Sequence, residues 1–415
     1  MGELLRAAAG DRLALVGGAV RDWLLHRVHN DPWRGVPDLD LVVEPAGPIE
    51  PAAPEAAAHR LARRLRAALG SERFGGYQEH GAYGTVELEL RGPEGPLLLD
   101  VASARRETYP TPGENPRVSF GRLEDDLARR DFTINAMALL LRPAEGETGA
   151  LLDPHGGRAD LEQRQLRFLH AGSVRDDPTR VVRGARYAAR LGFRLAPEAQ
   201  AQLRSTLEAW PWAWRPGDPP GAAPSALGTR LRMELELLLE REDWRRGLGA
   251  LQVWGALTLL DAALQADHGW PRRLRWAGRL GLPLLPALLA GANDPLALAE
   301  RLQLPHRHHR LLAQFFELRR QLSATRAEAA GAPLRPVGWC TLLEAPGITP
   351  EAVALALASG AEPRRPLLRW WLRWRHLGGG RSAAELMASE GLRPGPALGQ
   401  RLRQLREDRL ADERA

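Results

Sequence analysis

The chain has 415 residues with 57 basic and 51 acidic side chains, and every basic one is Arg. A P-loop, a pyridoxal Schiff base and a protein-kinase site each need a Lys, so none of them is open to this sequence. Any anion must be held by Arg, backbone N–H groups, His or a metal, and the planar Arg fork suits phosphate.

At roughly 100 to 200 residues per domain the length predicts two to four domains. A content of 44% hydrophobic and 26% charged residues is that of a soluble globular chain. The net charge of +6 conceals an asymmetry: residues 1–150 carry 18 Arg against 23 acids, a net of −5, which leaves 39 against 28, a net of +11, for residues 151–415. An acidic front and a basic back suggest a metal-using head on a body that meets a polyanion; two surfaces of different composition are the plainer alternative. Cys340 is the single cysteine, so it reads as a small buried hydrophobe in a reducing compartment. No signal-peptide pattern is seen, and uncharged stretches such as 280–293 fall short of the roughly 18 to 20 residues of a membrane span. A cytoplasmic protein without a membrane partner is expected.

Taken in chain order, LALV (13–16) reads as a strand that ends in Gly17-Gly18, and a helix is expected over 19–28. Glycines let backbone approach a phosphate, the helix N-terminus offers free N–H groups, and Arg21 in the first turn adds donors; a simple strand-to-helix turn would look the same. In PDLDLVV, a strand over 39–43, Asp38 and Asp40 share one face by period 2. A helix at 55–69 and strands at 85–90 and 97–102 complete a small α/β domain, and Asp100 on the last strand is a third carboxylate. Hard oxygen ligands of this kind suit Mg²⁺, and two such ions can activate a hydroxyl and neutralise a leaving phosphate, although a solvated strand edge also carries such pairs.

In LARRDFTINAMAL (127–139), Arg129, Arg130, Asp131 and Asn135 precede what reads as an apolar helix. The arginines suit a triphosphate and Asp131 a ribose hydroxyl; a helix cap with solvated charges is the alternative. A turn-rich bridge from 142 to 157 then leads into a helical segment at about 159–208. Within it Asp177, Arg180, Arg183 and Arg186 recur every three residues, a spacing that gathers them on one helix face, with Pro178 in the first turn. An Asp beside an Arg can read a base edge: cytosine and adenine each present an exocyclic amine next to an acceptor nitrogen, whereas guanine and uracil reverse that order. The rival reading is an Arg-rich solvated helix.

Beyond a Pro-rich linker at 211–228 the sequence is helical in period. PHRHHR (305–310) has no Cys or acid beside it, so a basic RNA-facing turn is expected and no zinc. In RRPLLRWWLRWRH (364–376), Arg365, Arg369 and Arg373 align at i, i+4 and suit RNA phosphate, with Trp370 and Trp374 on an adjacent face as stacking platforms or as core.

Five stretches, LVGGAVRDWLL, PDLDLVV, EDDLARRDFTINAMAL, LLDPHGGRADL and DDPTRVVRGARYAARLGF, together resemble the class II tRNA nucleotidyltransferase and bacterial poly(A) polymerase family over residues 13–195. The resemblance implies an α+β fold: a nucleotidyltransferase-type head (1–142), then an all-helical neck for base recognition (143–208), body (209–310) and tRNA-binding tail (311–415). It implies that Asp38 and Asp40 are catalytic and hold two Mg²⁺ ions, with Asp100 beside them. Gly17, Gly18 and Arg21 would meet the triphosphate with Asp22 in support, as would Arg129 or Arg130. Asp131 would take the sugar, with Asn135 among the nucleotide contacts. Asp177 with Arg180 would form a protein template, with Arg183 and Arg186 as further contacts and Asp176, Arg230 and Glu234 in support, the last two pairing at i, i+4. In the tail, a turn from Gly391 to Gly399, including Gly395, would cradle RNA phosphate. The implied reaction adds C, A or both from CTP or ATP to the 3′ end of tRNA and releases pyrophosphate. A poly(A) polymerase, and a non-catalytic RNA-binding protein on the same scaffold, are the alternatives. Two departures stand out. Asp176-Asp177 replaces the commoner Glu-Asp, and TPGENP, within residues 104–120, stands where CCA-adding members carry a flexible, Arg-containing loop; this resembles members that add only CC or only A.

Overall fold

A computed structural model describes the whole chain except residues 1, 34, 36–37, 50–54, 93–94, 142–150, 329–333 and 414–415. The expected head boundary at 142/143 lies outside the described residues. The chain divides into two compact units, residues 1–215 with 224–256, and residues 216–223 with 257–415.

The first unit opens with helix α1 (Gly2–Ala7), strand β1 (Arg12–Val16), helix α2 (Gly18–His29), strand β2 (Asp38–Glu44) and helix α3 (Ala57–Leu69). Strands β3 (Phe74–His80), β4 (Thr85–Gly92), β5 (Gly95–Ser103), β6 (Arg105–Thr108) and β7 (Arg117–Phe120) follow, then helix α4 (Leu123–Ala128) and strands β8 (Ala138–Leu141) and β9 (Leu151–Leu152). Seven strands form one sheet in the order β3-β4-β5-β2-β1-β8-β9, while β6 and β7 pair as a separate hairpin. Within the large sheet β2 and β5 run parallel.

Period-2 alternation decides what each face of this sheet does. Leu41 and Val43 of β2, with Leu99 and Val101 of β5, pack beneath Leu61 and Leu65 of α3, all at most 2% exposed. Burying each such side chain stabilises the fold by roughly 1.5–3 kcal/mol. Val42 and Ala102 face the other way, against Leu123 and Leu127 of α4. Asp38, Asp40 and Asp100 are in phase with this second set, so the α3 core drives the carboxylates to the face that α4 flanks.

The stretch after Asp131 is not the expected helix. Thr133–Asn135 make a single 3₁₀ turn, and Ala138–Leu141 pair antiparallel with β1, Val16 opposite Ala138 and Leu13 opposite Leu141. A short apolar run fits helix and buried strand alike, and the free edge of β1 decided the outcome.

Helices α5 (Gly157–Glu162), α6 (Ser173–Asp176), α7 (Thr179–Leu191), α8 (Pro197–Ala209), α9 (Thr229–Arg241) and α10 (Trp244–Val253) complete the first unit, with a two-stranded pairing of 165–166 and 194–195. Asp177 therefore lies before α7, and only Arg180, Arg183 and Arg186 are on it; Pro178 immediately precedes its first turn.

In the second unit run α11 (Ala262–Ala266), α12 (Trp270–Arg279), α13 (Leu284–Leu289), α14 (Pro295–Arg301), α15 (His306–Glu328), α16 (Pro336–Leu343), α17 (Pro350–Ala358), α18 (Arg364–Leu372), α19 (Ala383–Glu390) and α20 (Pro396–Ala411). Residues 306–310 open the long α15 and are not a turn, because nothing in PHRHHR after its proline breaks a helix. The stripe expected of Arg365, Arg369 and Arg373 is interrupted: α18 ends at Leu372, and Arg373 leaves the helix to pair with Glu413 at 2.7 Å. Trp370 and Trp374 are core, 2% and 1% exposed, and the Trp370 indole N–H donates to Glu344 at 2.9 Å. The glycine turn is shorter than expected, since Gly395 caps α20 and Gly399 lies inside it. Cys340 is buried, and burial pushes its thiol up to about 11. Among the described residues no helix is long and apolar enough to cross a membrane.

Candidate active site

The parallel pairing of β2 with β5 sets Asp40 directly beside Asp100, and Asp38 follows one pleat away. One oxygen from each of the three carboxylates lies within 4.8 Å of the others. Burial pushes Asp40 up to about 6; the Arg130 guanidinium opposes the shift, and Asp38 and Asp100 add to it. Asp100 is raised as well, by burial and by the charge of Asp38. Three hard carboxylates facing a single guanidinium form a group short of positive charge, which fits a divalent cation of the Mg²⁺ type.

Strand β1 must end without a side chain at Gly17. Its φ is +70°, and a Cβ there would lie 3.1 Å from an Asp40 oxygen and 3.1 Å from an Arg130 nitrogen. Gly17 thus lets acid and base approach each other across bare backbone. Arg21, one turn into α2, is buried behind this point: it grips Asp22 with two bonds of 2.8 and 2.9 Å and donates to the Asn135 amide oxygen at 2.8 Å. It does not line the cavity in front of Gly17 and Gly18.

That cavity, of about 470 Å³, is closed on one side by a pair of arginines. Asp126, fully buried on α4, accepts from Arg129 at 2.7 Å and from Arg130 at 2.8 Å. Burial alone would raise its carboxyl, but the two guanidinium groups outweigh that and hold it below the usual range. Next in sequence, Asp131 is buried and receives the Phe132 amide at 2.8 Å, the Asn135 amide at 3.0 Å, and Arg183 and the Tyr187 hydroxyl at 3.4 Å each.

On the opposite wall Asp177 and Arg180 are both 3% exposed. One oxygen of Asp177 accepts the Thr179 amide at 3.1 Å and hydroxyl at 2.6 Å, and the other accepts from Arg230. Arg180 donates to the Arg129 carbonyl at 2.9 Å. Arg230 and Glu234 do not pair with each other as expected, because both reach across to neighbouring elements: Glu234 holds Arg183 at 3.2 Å and Arg186 at 2.6 Å. Arg186 consequently stands behind the cavity wall, whereas Asp40, Arg129, Arg130, Asp131, Asn135, Asp177, Arg180, Arg183 and Arg230 line it. Asp176 is spent on Arg175, 3.0 Å away.

A cavity with metal-binding carboxylates at one end and an Asp/Arg pair at the other has its counterparts in known proteins. The poly(A) polymerase head-domain family matches residues 13–167. A CC-adding tRNA nucleotidyltransferase of Deinococcus radiodurans is 36% identical over 375 residues, covering 88% of this chain and 86% of that protein. The chain belongs to the class II tRNA nucleotidyltransferase and bacterial poly(A) polymerase family. An A-adding tRNA nucleotidyltransferase of the same organism is 33% identical over 263 residues, 62% of this chain and 46% of that protein. A solved CCA-adding enzyme in an apo form shares the fold, with a TM-score of 0.69 at 23% identity over 100% of this chain and 92% of that one.

Several residues of this nucleotidyltransferase site had no place in the sequence reading. Asp126 was legible, since it stands three and four positions before the arginines it holds. Glu107 and Tyr109 were not, because they arrive on the β6–β7 hairpin: Glu107 accepts from Arg105 at 2.9 Å, from Arg129 at 3.1 Å and from the Tyr109 hydroxyl at 3.1 Å. The tip of that hairpin, the TPGENP stretch, is held in place. The Gly113 amide donates to the Asp176 carbonyl at 3.2 Å, its carbonyl accepts from Ala226 at 3.1 Å, and Ser225 donates to Asn115 at 3.2 Å. Gly113 has φ +78° and a Cβ there would strike the Trp212 ring, so glycine is required.

Proposed function

We propose that this enzyme extends the 3′ end of tRNA with cytidylate, from CTP and with release of pyrophosphate, as the CC-adding step of CCA synthesis. The observation that carries the reading is one cavity holding the three carboxylates, the Arg129–Arg130 pair and the Asp177/Arg180 pair. The choice of C is supported by the CC-adding relative, which matches over 88% of the chain where the A-adding one matches over 62%. A pinned hairpin tip in place of a flexible loop agrees with a pocket that reads one base.

Asp38, Asp40 and Asp100 would hold Mg²⁺, two ions in the full site, and the metal supplies acidity to the attacking hydroxyl and charge neutralisation at the phosphates. The chain's own residues do the rest. Arg129 and Arg130, fixed by Asp126, present guanidinium forks to the triphosphate, and the glycine turn brings backbone N–H groups beside them. Asp131, held by Asn135 and Arg183, accepts from a ribose hydroxyl. Arg21 and Asp22 act through Asn135 as positioning residues, and Arg186, Arg230 and Glu234 act in the same way on Arg183 and Asp177. The Asp177 carboxylate retains acceptor capacity for an exocyclic amine, and Arg180 donates to the neighbouring ring nitrogen. Guanine or uracil would leave both buried groups without partners, at a cost of about 1–3 kcal/mol for each lost bond. The 3′-oxygen of the RNA attacks the α-phosphorus in line, and pyrophosphate leaves toward the arginines. Body and tail, with the net charge of +8 over residues 301–415, would carry the tRNA, Arg365, Arg369 and Arg373 among the contacts and Gly395 and Gly399 beside them.

The deciding experiment supplies labelled CTP and ATP separately to tRNA ending before CCA, at CC and at CCA. Two cytidylates on the first substrate and none on the others are expected. A-only addition, full CCA or a long A tract would each overturn the choice of C, and the last would favour the poly(A) polymerase reading.

A further inference from the structure

A transferase that joins a nucleotide to an RNA end needs two seats meeting at its carboxylates, and the base-reading cavity is one of them. A second groove, of about 290 Å³, shares Asp40, Arg105, Arg129 and Arg130 with that cavity, but it runs on past Asp100, Thr85 and Glu87 and contains no residue C-terminal to Arg130. Where the two meet stands Tyr83, in the turn between β3 and β4. It is a large aromatic 46% exposed to solvent, with the Arg105 guanidinium 5.3 Å from its ring centre. Tyr109 differs: its hydroxyl is bound to Glu107 and Arg180 lies 5.9 Å from its ring, so it belongs to the nucleotide side.

Arg105 is also under-neutralised. It shares the single carboxylate of Glu107 with Arg129, at 2.9 and 3.1 Å, which leaves one positive charge over. Its remaining η-nitrogen has only a 3.5 Å contact with the Tyr83 carbonyl. An exposed aromatic beside a guanidinium with charge to spare is the combination that grips a single-stranded terminus, stacking for the base and a fork for the phosphate.

We propose that the groove beside Asp40 and Asp100 seats the RNA acceptor, whose last base stacks on Tyr83 while Arg105 takes the terminal phosphate. The assignment rests on the nucleotidyl-transfer reading above. In steady-state kinetics with tRNA ending before CCA, Tyr83→Ala is expected to raise KM for the tRNA about tenfold, on the scale of one lost base–aromatic stack. KM for CTP and the thermal midpoint stay unchanged, and Tyr83→Phe restores the wild-type value. A tRNA KM unmoved by Tyr83→Ala, or a rise in the CTP KM equal to or above that for tRNA, overturns it. A second measurement does not depend on turnover: an acceptor-stem hairpin whose terminal base is 2-aminopurine should be quenched on binding the wild-type protein and not on binding Tyr83→Ala. Equal quenching by both proteins refutes the stack. Should the wild type incorporate no nucleotide, the transfer reading fails, and the fluorescence still decides the role of Tyr83.

Discussion

The two ends of the catalytic cavity treat their carboxylates in opposite ways. At the sheet end Asp38, Asp40 and Asp100 crowd within 4.8 Å of one another and Asp40 is pushed up to about 6. At the helical end each acid is saturated: Asp131 has four donors, Asp177 is held by Arg230 and Thr179, and Glu234 bridges Arg183 and Arg186. Unbalanced charge marks where a cation is to be received, and balanced charge marks where shape is to be kept. The same residue type therefore serves as ligand in one place and as scaffold in the other.

The comparison is broken most severely at the sheet end. Asp40→Asn, or chelation of the metal, should take incorporation below detection while tRNA binding persists in a filter assay, and retained turnover would sink the assignment. The scaffold end should answer in stability. Asp126→Asn strands two buried guanidinium groups and is expected to cost about 3–5 kcal/mol in denaturant unfolding, as breaking a buried ion pair does, and to raise KM for CTP. Base selection should respond next: Arg180→Ala removes one donor from the base edge and is expected to erode discrimination against UTP and GTP by roughly 1–3 kcal/mol. Unchanged misincorporation ratios would remove the template role. At the bottom of the scale, Arg320→Ala breaks a solvent-exposed pair with Glu317 and should leave the thermal midpoint where it is.

Much of the sheet end could be read from the sequence because period 2 is local. Asp38 and Asp40 had to share a face, and the apolar partners of Asp100 had to enter the α3 core. Arg129, Arg130, Asp177 and Arg180 were recognisable as types at a spacing. What the sequence withheld was partnership between distant segments. Arg21 looked like a phosphate ligand from its place in the first turn of α2, yet Asn135, 114 residues on, holds its guanidinium behind the cavity wall. Arg230 and Glu234 satisfy the i, i+4 rule and still pair elsewhere, since partners across helices, less exposed to solvent, outcompete a neighbour on the same helix. Residues 138–141 became a strand because β1 had an edge to fill, a fact absent from their own composition.

Gly113 has a mechanical consequence. Its two backbone groups fasten the hairpin that carries Glu107 and Tyr109 to the segment that carries Asp177, and Arg180 in turn grips the carbonyl of Arg129. Phosphate grip and base reading are thereby geared together. A wrong base that pushes on Asp177 or Arg180 is felt at the arginines that hold its own triphosphate, so fidelity and turnover share one linkage.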